Sequence, residues 1–337
     1  MPWFGAKSRI APQVWERFGD VPNYVEPFFG SGAVLLARPD DHKGGIETVN
    51  DKDGFVSNFW RATKMAPDEV AHWADWPVNE NDLHARHVWL VGQRESITSR
   101  LEGDPDFYDA KVAGWWLWGI SSWIGSGWCA GVGPWHSVDG ELVDTRDDGM
   151  VTWRQLPHLG NAGRGINRQL PHLGDAGRGI NRKQDDNTCD DWSAHLRHMM
   201  RELADRLRAV RVCSGDWTRV LGPSPTEKLG LTAVFLDPPY SHDERAGALY
   251  AVEMPLADEV REWAIAHGDN PSYRIALCGY EGEHEMPEGW ETLRWKAKGG
   301  YGSQSEDGRG RENAERECVW FSPHGLKPER AEQLSMF

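Results

Sequence analysis

Thr232-Ala233-Val234-Phe235-Leu236-Asp237-Pro238-Pro239-Tyr240 is the stretch on which the reading of the chain turns. Its first five residues are short, apolar and partly β-branched, the pattern of a buried strand. The two prolines cannot donate backbone hydrogen bonds, so they end the ladder. The stretch therefore predicts a rigid corner at the carboxyl end of a strand, where open α/β sheets bind ligands. The corner holds out the Asp237 carboxylate, the Pro238 carbonyl and the Tyr240 ring. Two acceptors and an aromatic face suit a flat base with an exocyclic amine. Such an amine is a poor nucleophile while its lone pair is delocalised into the ring; acceptors that draw its hydrogens out of plane localise that pair. The simpler reading is a strand-ending turn with a solvated aspartate. The first sixty residues weigh against it.

Asn23-Tyr24-Val25-Glu26 reads as a strand, Pro27-Phe28-Phe29-Gly30-Ser31-Gly32 as a glycine turn, and Ala33 to Ala37 as the start of a helix. Strand, glycine turn and helix open a nucleotide-binding βαβ unit, although glycine turns occur in many settings. A helix from Ser8 to about Arg17 precedes it, with Ser8 as a candidate cap. The next strand, Ile46 to Asn50, ends at Asp51. Asp51 follows Gly30 at the spacing, about 20 residues, at which a carboxylate takes ribose hydroxyls. Alternatively, Asp51 caps the helix that begins near Asp53.

Composition narrows the classes. The 337 residues suffice for a domain with a large insertion, or for two domains. A formal net charge of -15 excludes a uniformly basic nucleic-acid coat, so any nucleic-acid contact needs a local basic surface. The five cysteines show no C-x-x-C pairing, which fits a reduced cytoplasm and neither a zinc site nor a disulfide framework. Charges interrupt the first thirty residues, so they do not read as a secretory leader. The most apolar run, Val112 to Ile124, is shorter than the roughly 20 residues of a membrane span.

From Arg61 to about Asp191 the α/β rhythm is interrupted. Pro67 to Val91 reads as helix. Trp115, Trp116 and Trp118 share a helix, and Trp128 lies in the loop after it; a local aromatic core accounts for most of them, with one or two left for stacking on bases. Arg154 to Asn167 then recurs as Arg168 to Asn181 with one change, Asn161 to Asp175. Arg154, Arg164, Arg168, Arg178, Arg182 and Lys183 stand against the single acid Asp175, a basic patch suited to successive phosphates. A tandem duplication in a loop without a dedicated role reads equally well.

The α/β pattern returns at Trp192. Leu196, Met199, Met200, Leu203 and Leu207 form one helical face. A strand, Arg211 to Cys213, leads to Gly215-Asp216-Trp217, a carboxylate beside an aromatic at a strand end. Beyond the central strand lie another at Arg274 to Cys278 and a closing pair, Trp290 to Lys296 with Glu317 to Phe321.

The ordered set resembles the Dam-type DNA adenine-N(6) methyltransferases, phage-borne members most of all. It comprises Trp3-Phe4-Gly5-Ala6-Lys7, Val25 to Gly32, Asn50-Asp51, Gly215-Asp216-Trp217 and Asp237 to Tyr240. The resemblance implies a Rossmann-like α/β sheet that binds S-adenosylmethionine, with an inserted, mainly helical or irregular target-recognition domain. Residues 1–60 and 190–325 would form the catalytic and cofactor-binding domain, 61–189 the insertion and 326–337 a flexible tail. It implies a cofactor held by Trp3, Lys7, Glu26, Pro27, Phe28, Phe29, Gly30, Ser31, Gly32, Asp51, Asp216 and Trp217. A flipped adenine of double-stranded DNA would sit at Asp237, Pro238, Pro239 and Tyr240, with the basic patch on the DNA. No metal is required. It further implies methylation of the restriction-modification kind in a bacterial or phage-infected cytoplasm, without a membrane. The insertion has no close counterpart in the short Dam recognition domain, so no target sequence carries over.

The corner recognises an amine rather than one base, so cytosine-N(4) or RNA methylation shares its chemistry. A catalytically silent DNA-binding or clamp-associated module is the reading from another class; the intact Asp237, Tyr240 and glycines argue against it. A dehydrogenase lacks its third glycine and leaves Asp237 to Tyr240 unexplained. The tail, Gln333-Leu334-Ser335-Met336-Phe337, resembles the bacterial sliding-clamp-binding peptide, a glutamine followed by apolar anchors; folding back on its own domain is the alternative. Deleting Phe337 should abolish capture by the clamp and leave methylation of short duplexes intact. A clamp that ignores the intact chain would end the idea.

Overall fold

The structure, a computed structural model, describes residues 7–104, 106–123, 128–129, 135–138, 141–144, 192–239, 250–295 and 317–328. Trp3, Tyr240, the repeat with its six basic residues, and the tail Gln333 to Phe337 lie outside the described residues. The elements in chain order are α1 (Ala11–Phe18), β1 (Asn23–Glu26), α2 (Ala33–Leu36), β2 (Ile46–Asp51), α3 (Gly54–Met65), α4 (Pro67–Ala74), α5 (Glu80–Gly103) and α6 (Ala110–Ser122). There follow β3 (Trp135–Val138), β4 (Glu141–Asp144), α7 (Trp192–Leu207), β5 (Val210–Ser214), β6 (Thr232–Leu236), α8 (Tyr250–Gly268), β7 (Tyr273–Tyr280), β8 (Glu291–Arg294) and β9 (Glu317–Phe321).

Seven strands form a sheet in the order β5-β2-β1-β6-β7-β9-β8. The pairs β1–β2, β1–β6 and β6–β7 are parallel, and β9 is antiparallel to both β7 and β8. This is the mixed, mostly parallel α/β sheet expected of a Rossmann-like methyltransferase. All five residues of β6 are buried, as the apolar run required. From β1 the chain turns to β2 on one side, whereas β6 enters on the other. The strand order thus reverses between β1 and β6, the kind of switch point at which such sheets bind ligands beyond the carboxyl ends of their strands. Asn23 fixes the register there, its side-chain amide donating to Thr232 Oγ1 and to the Pro225 carbonyl, each at 2.9 Å.

The described residues fall into two compact units. The first comprises 7–49, 217–239, 250–295 and 317–328 and carries β1, β6, β7, β8, β9, α1, α2, α8 and the first residues of β2. Its aromatic core centres on Trp15, whose indole donates to the Val34 carbonyl at 2.7 Å and whose ring meets Phe18 and Tyr24. Ser8 does not cap α1. Ile10 holds that position without a side-chain bond, and the Lys7 carbonyl takes the N–H groups of Ile10 and Ala11 at 3.1 and 2.9 Å. Pro12 in the first turn lacks an N–H of its own, which lowers the need for a side-chain cap.

The second unit takes in the described residues between 50 and 216, with α3 to α7 and β5. The single helix expected from Pro67 to Val91 is two helices. α4 stops at Ala74, two residues before Trp76, which precedes Pro77 and is disfavoured from helical geometry for that reason. α5 starts afresh with Asn79 as cap, its side chain accepting from the Asp82 N–H at 2.8 Å. α4 and α6 approach closely at Gly114, where a Cβ would come within 2.7 Å of the Val70 carbonyl. Trp116, Trp118 and Trp128 are buried, as an aromatic core of this region requires. Arg86 lies among the rings of Trp76, Trp115 and Trp118, 4.3 to 4.9 Å from their centroids, so these aromatics pack around a cation as well as around one another.

His87 is buried on the same unit, stacked on Trp123 at 5.0 Å and beside Trp128. Its Nδ1 faces the Cys129 N–H at 3.4 Å. Burial, with His84 nearby, depresses its pKa to about 4. The unfolded imidazole takes a proton near pH 6.5, and the folded one does so far lower. The stability present above pH 6.5 is therefore lost as pH falls through 4, by up to about 3 kcal/mol. Urea unfolding at pH 7 and pH 4 should show that loss in the wild type and a smaller one in His87→Phe. Equal acid losses in the two chains would show that His87 charges freely in the fold.

Candidate active site

In the first unit, β1 delivers its chain into a turn at the carboxyl edge of the sheet. Glu26, the last residue of β1, is 2 % exposed and accepts a hydrogen bond from the Tyr24 hydroxyl at 2.8 Å. Pro27 and Phe29 are buried, and Phe28, Gly30 and Ser31 are partly exposed. Gly30 and Gly32 have φ of 44° and 66°, a left-handed backbone that side chains other than glycine rarely adopt. The turn closes on itself, with the Gly32 N–H bonded to the Phe29 carbonyl at 2.7 Å. Phe28 stacks against Trp217, ring centroids 6.0 Å apart at 28°. The glycine turn and the aromatic of the Gly215-Asp216-Trp217 motif are thus brought together.

Next along the same edge, β6 ends at Leu236 and Asp237 follows it. Pro238 is buried and Pro239 exposed, as a corner leaving the sheet requires. The Asp237 side chain is 22 % exposed, and its Oδ1 lies 3.1 Å from Lys7 Nζ. Lys7 is 3 % exposed, and its ammonium is also 3.5 Å from Glu317 Oε2 at the start of β9. The indole of Trp295 flanks it at 6.0 Å. Burial opposes the charge on Lys7, but Asp237 and Glu317 outweigh it and hold the ammonium above the ordinary lysine range. At an effective dielectric of about 20, one contact of this length is worth roughly 5 kcal/mol of attraction, comparable with the several kcal/mol that burying each ion costs. Glu317 has the longer of the two contacts; burial, helped by the charge of Asp237, raises its pKa despite Lys7. The neighbouring Cys278 thiol is likewise pushed well up by burial.

In the second unit, the ends of β2 and β5 are stitched together. Asn50 Nδ2 donates to the Gly215 carbonyl at 3.0 Å, and the Gly215 N–H donates to the Asp51 carbonyl at 3.1 Å. Asp53 caps α3 through the Phe55 N–H, and Asp51 Oδ1 accepts the Asp53 N–H at 2.9 Å. Asp51 therefore supports the turn and does not itself cap the helix. Asp216, the next residue after Gly215, is exposed.

Lys7, assigned to the cofactor by resemblance, has its ammonium on Asp237. Glu317 was not singled out from the sequence. The available signal was an acid opening an otherwise apolar strand whose five residues are all buried. Among the described residues no His, Cys, Asp and Glu cluster could hold a metal ion, and no helix is long and apolar enough to cross a membrane.

Replacing Lys7 by Met would leave two carboxylates facing each other without their cation. The loss, read by urea unfolding at pH 7, should be about 3 to 5 kcal/mol, the range for breaking a buried pair. Without Lys7 the folded state holds a proton on Glu317 more tightly than the unfolded state does. The deficit should therefore shrink as pH falls toward the ordinary glutamate range near 4.3, where the unfolded chain also takes up the proton, and change little below it. A Lys7→Met chain as stable as the wild type would contradict this pairing.

Residues 3–84 match the family of D12 class N6 adenine-specific DNA methyltransferases. The matched span includes Lys7, the Pro27 to Gly32 turn and Asp51. No curated protein matches the chain.

Proposed function

We propose that this chain, an adenine-specific DNA methyltransferase by its family match over residues 3–84, transfers a methyl group from S-adenosylmethionine to N6 of an adenine held at Asp237. The observation that carries the reading is the Asp237-Pro238 corner at the switch point of the sheet, beside the glycine turn that follows β1. The donor set fits the cofactor. In the first unit Glu26 is a carboxylate suited to its ammonium or hydroxyl groups, the turn of Gly30 and Gly32 admits close backbone approach, and Phe28 with Trp217 supplies an aromatic wall; the resemblance assigns Asp51 and Asp216 to the same ligand. Ser31, Pro27, Phe29 and Trp3 complete the assignment.

When bound, S-adenosylmethionine supplies a methyl group on a positively charged sulfur. The chain's own part is to prepare the nucleophile. A base cannot reach such a corner from within a duplex, so the adenine is flipped out, with Tyr240 as its stacking partner. Asp237 and the Pro238 carbonyl each accept one hydrogen of the amine and turn its lone pair toward the methyl carbon. The bound group would supply the methyl and its sulfur would keep the electron pair of the broken bond, while Asp237 would take the surplus amine proton along its hydrogen bond. Positioning and fixed charge carry such a step. Arg154, Arg164, Arg168, Arg178, Arg182 and Lys183 contribute phosphate contacts from the inserted region 61–189, and the Gln333 to Phe337 tail is a clamp ligand.

The test is transfer of labelled methyl from S-adenosylmethionine to unmethylated duplex DNA. Asp237→Ala should lower the rate by at least about 100-fold, the scale of losing one aligned polar group, and retain cofactor binding. Equal transfer by mutant and wild type would refute the assignment.

A further inference from the structure

β9 begins with an acid where burial favours none. Glu317 is 6 % exposed and precedes Cys318, Val319, Trp320 and Phe321, all buried. A carboxylate in that setting is costly unless it is paired. Its partner is the ammonium that also holds Asp237. Both ends of this arrangement are anchored by backbone. The Glu317 carbonyl takes the Trp295 N–H at 3.1 Å, and Glu317 faces Tyr280 in the β7–β9 register. The Lys7 carbonyl is bound to the first turn of α1. The side chains thus meet from three fixed supports: the head of α1, the end of β6 and the start of β9.

We propose that Glu317 is a positioning residue for methyl transfer, sharing the Lys7 ammonium with Asp237 and so setting how firmly the catalytic carboxylate is held. This rests on the function proposed above. An ammonium carries three donors and one charge. Bound to Asp237 alone, it would draw electron density from the oxygens that must accept the adenine amine. A second carboxylate draws part of that charge away and leaves Asp237 oriented yet still a good acceptor. Among the described residues, the Cys278 thiol of β7, which burial keeps protonated, also acts on this cluster, and Glu26 at the end of β1 acts on Cys278.

Glu317→Gln removes the charge and keeps the shape. Assayed on unmethylated genomic DNA, it should lower kcat about tenfold, a modest share of what an aligned polar group supplies, while KM for cofactor and DNA stays within about twofold. Glu317→Asp should recover part of the rate. A Glu317→Gln enzyme with wild-type kcat, or one altered only in KM for the cofactor, would overturn the proposal. A second readout needs no turnover. Carboxyl-carbon NMR should find Glu317 titrating above the ordinary glutamate range, and higher still in Lys7→Met. An unmoved Glu317 titration would overturn the shared ammonium by itself. Absence of methyl transfer by the wild type would refute the proposed function instead, and the titration would still decide the Lys7–Glu317 link.

Discussion

A single buried ammonium ties together parts of the chain that sequence keeps far apart. Lys7 stands ahead of α1, Asp237 follows β6 and Glu317 opens β9, and one Nζ lies within 3.5 Å of both carboxylates. Removing water from three charges is tolerable only as a set, because each alone would cost several kcal/mol. The set therefore constrains the fold as well as the site. β9 must pair with β7 in the register that brings Glu317 inward, and the Lys7 turn must precede α1 at the distance observed. The antiparallel strand β9 carries the carboxylate that shares Lys7 with Asp237.

The sheet supplies the rest of the positioning. Parallel pairing of β1 with both β2 and β6 lines up carboxyl ends at one edge. Two backbone devices act there for opposite reasons. Gly30 and Gly32 give a turn open enough for close approach, whereas Pro238 and Pro239 give a corner that cannot rejoin the ladder. In the second unit, Asn50 and Gly215 bind the ends of β2 and β5 to each other, which keeps the Asp51 and Asp216 motifs side by side although the sequence separates them widely.

Much of this was legible from short runs. β1, β6 and β9 have the bounds that their apolar and β-branched residues suggest, and β2 extends one residue further, to Asp51. Their burial is local in origin, so sequence pattern carries it. Helix ends were less legible: Ser8 has cap chemistry, yet the Lys7 carbonyl does its work, and Trp76-Pro77 divides one expected helix into two. The pairing of Lys7 with Asp237 and Glu317 was not legible, because no spacing rule links an N-terminal turn to the last strand of a sheet. Only the buried acid at the head of β9 hinted that a cation had to come from elsewhere.

The account's central claim is that the corner acts on the amine of adenine. Nucleoside mass spectrometry of DNA from a methylation-deficient bacterial host expressing the chain tests it most directly. N6-methyladenine absent from the host without the chain is the result the account predicts. N4-methylcytosine in its place would contradict the base assignment, and DNA without any new methylated base would contradict the activity.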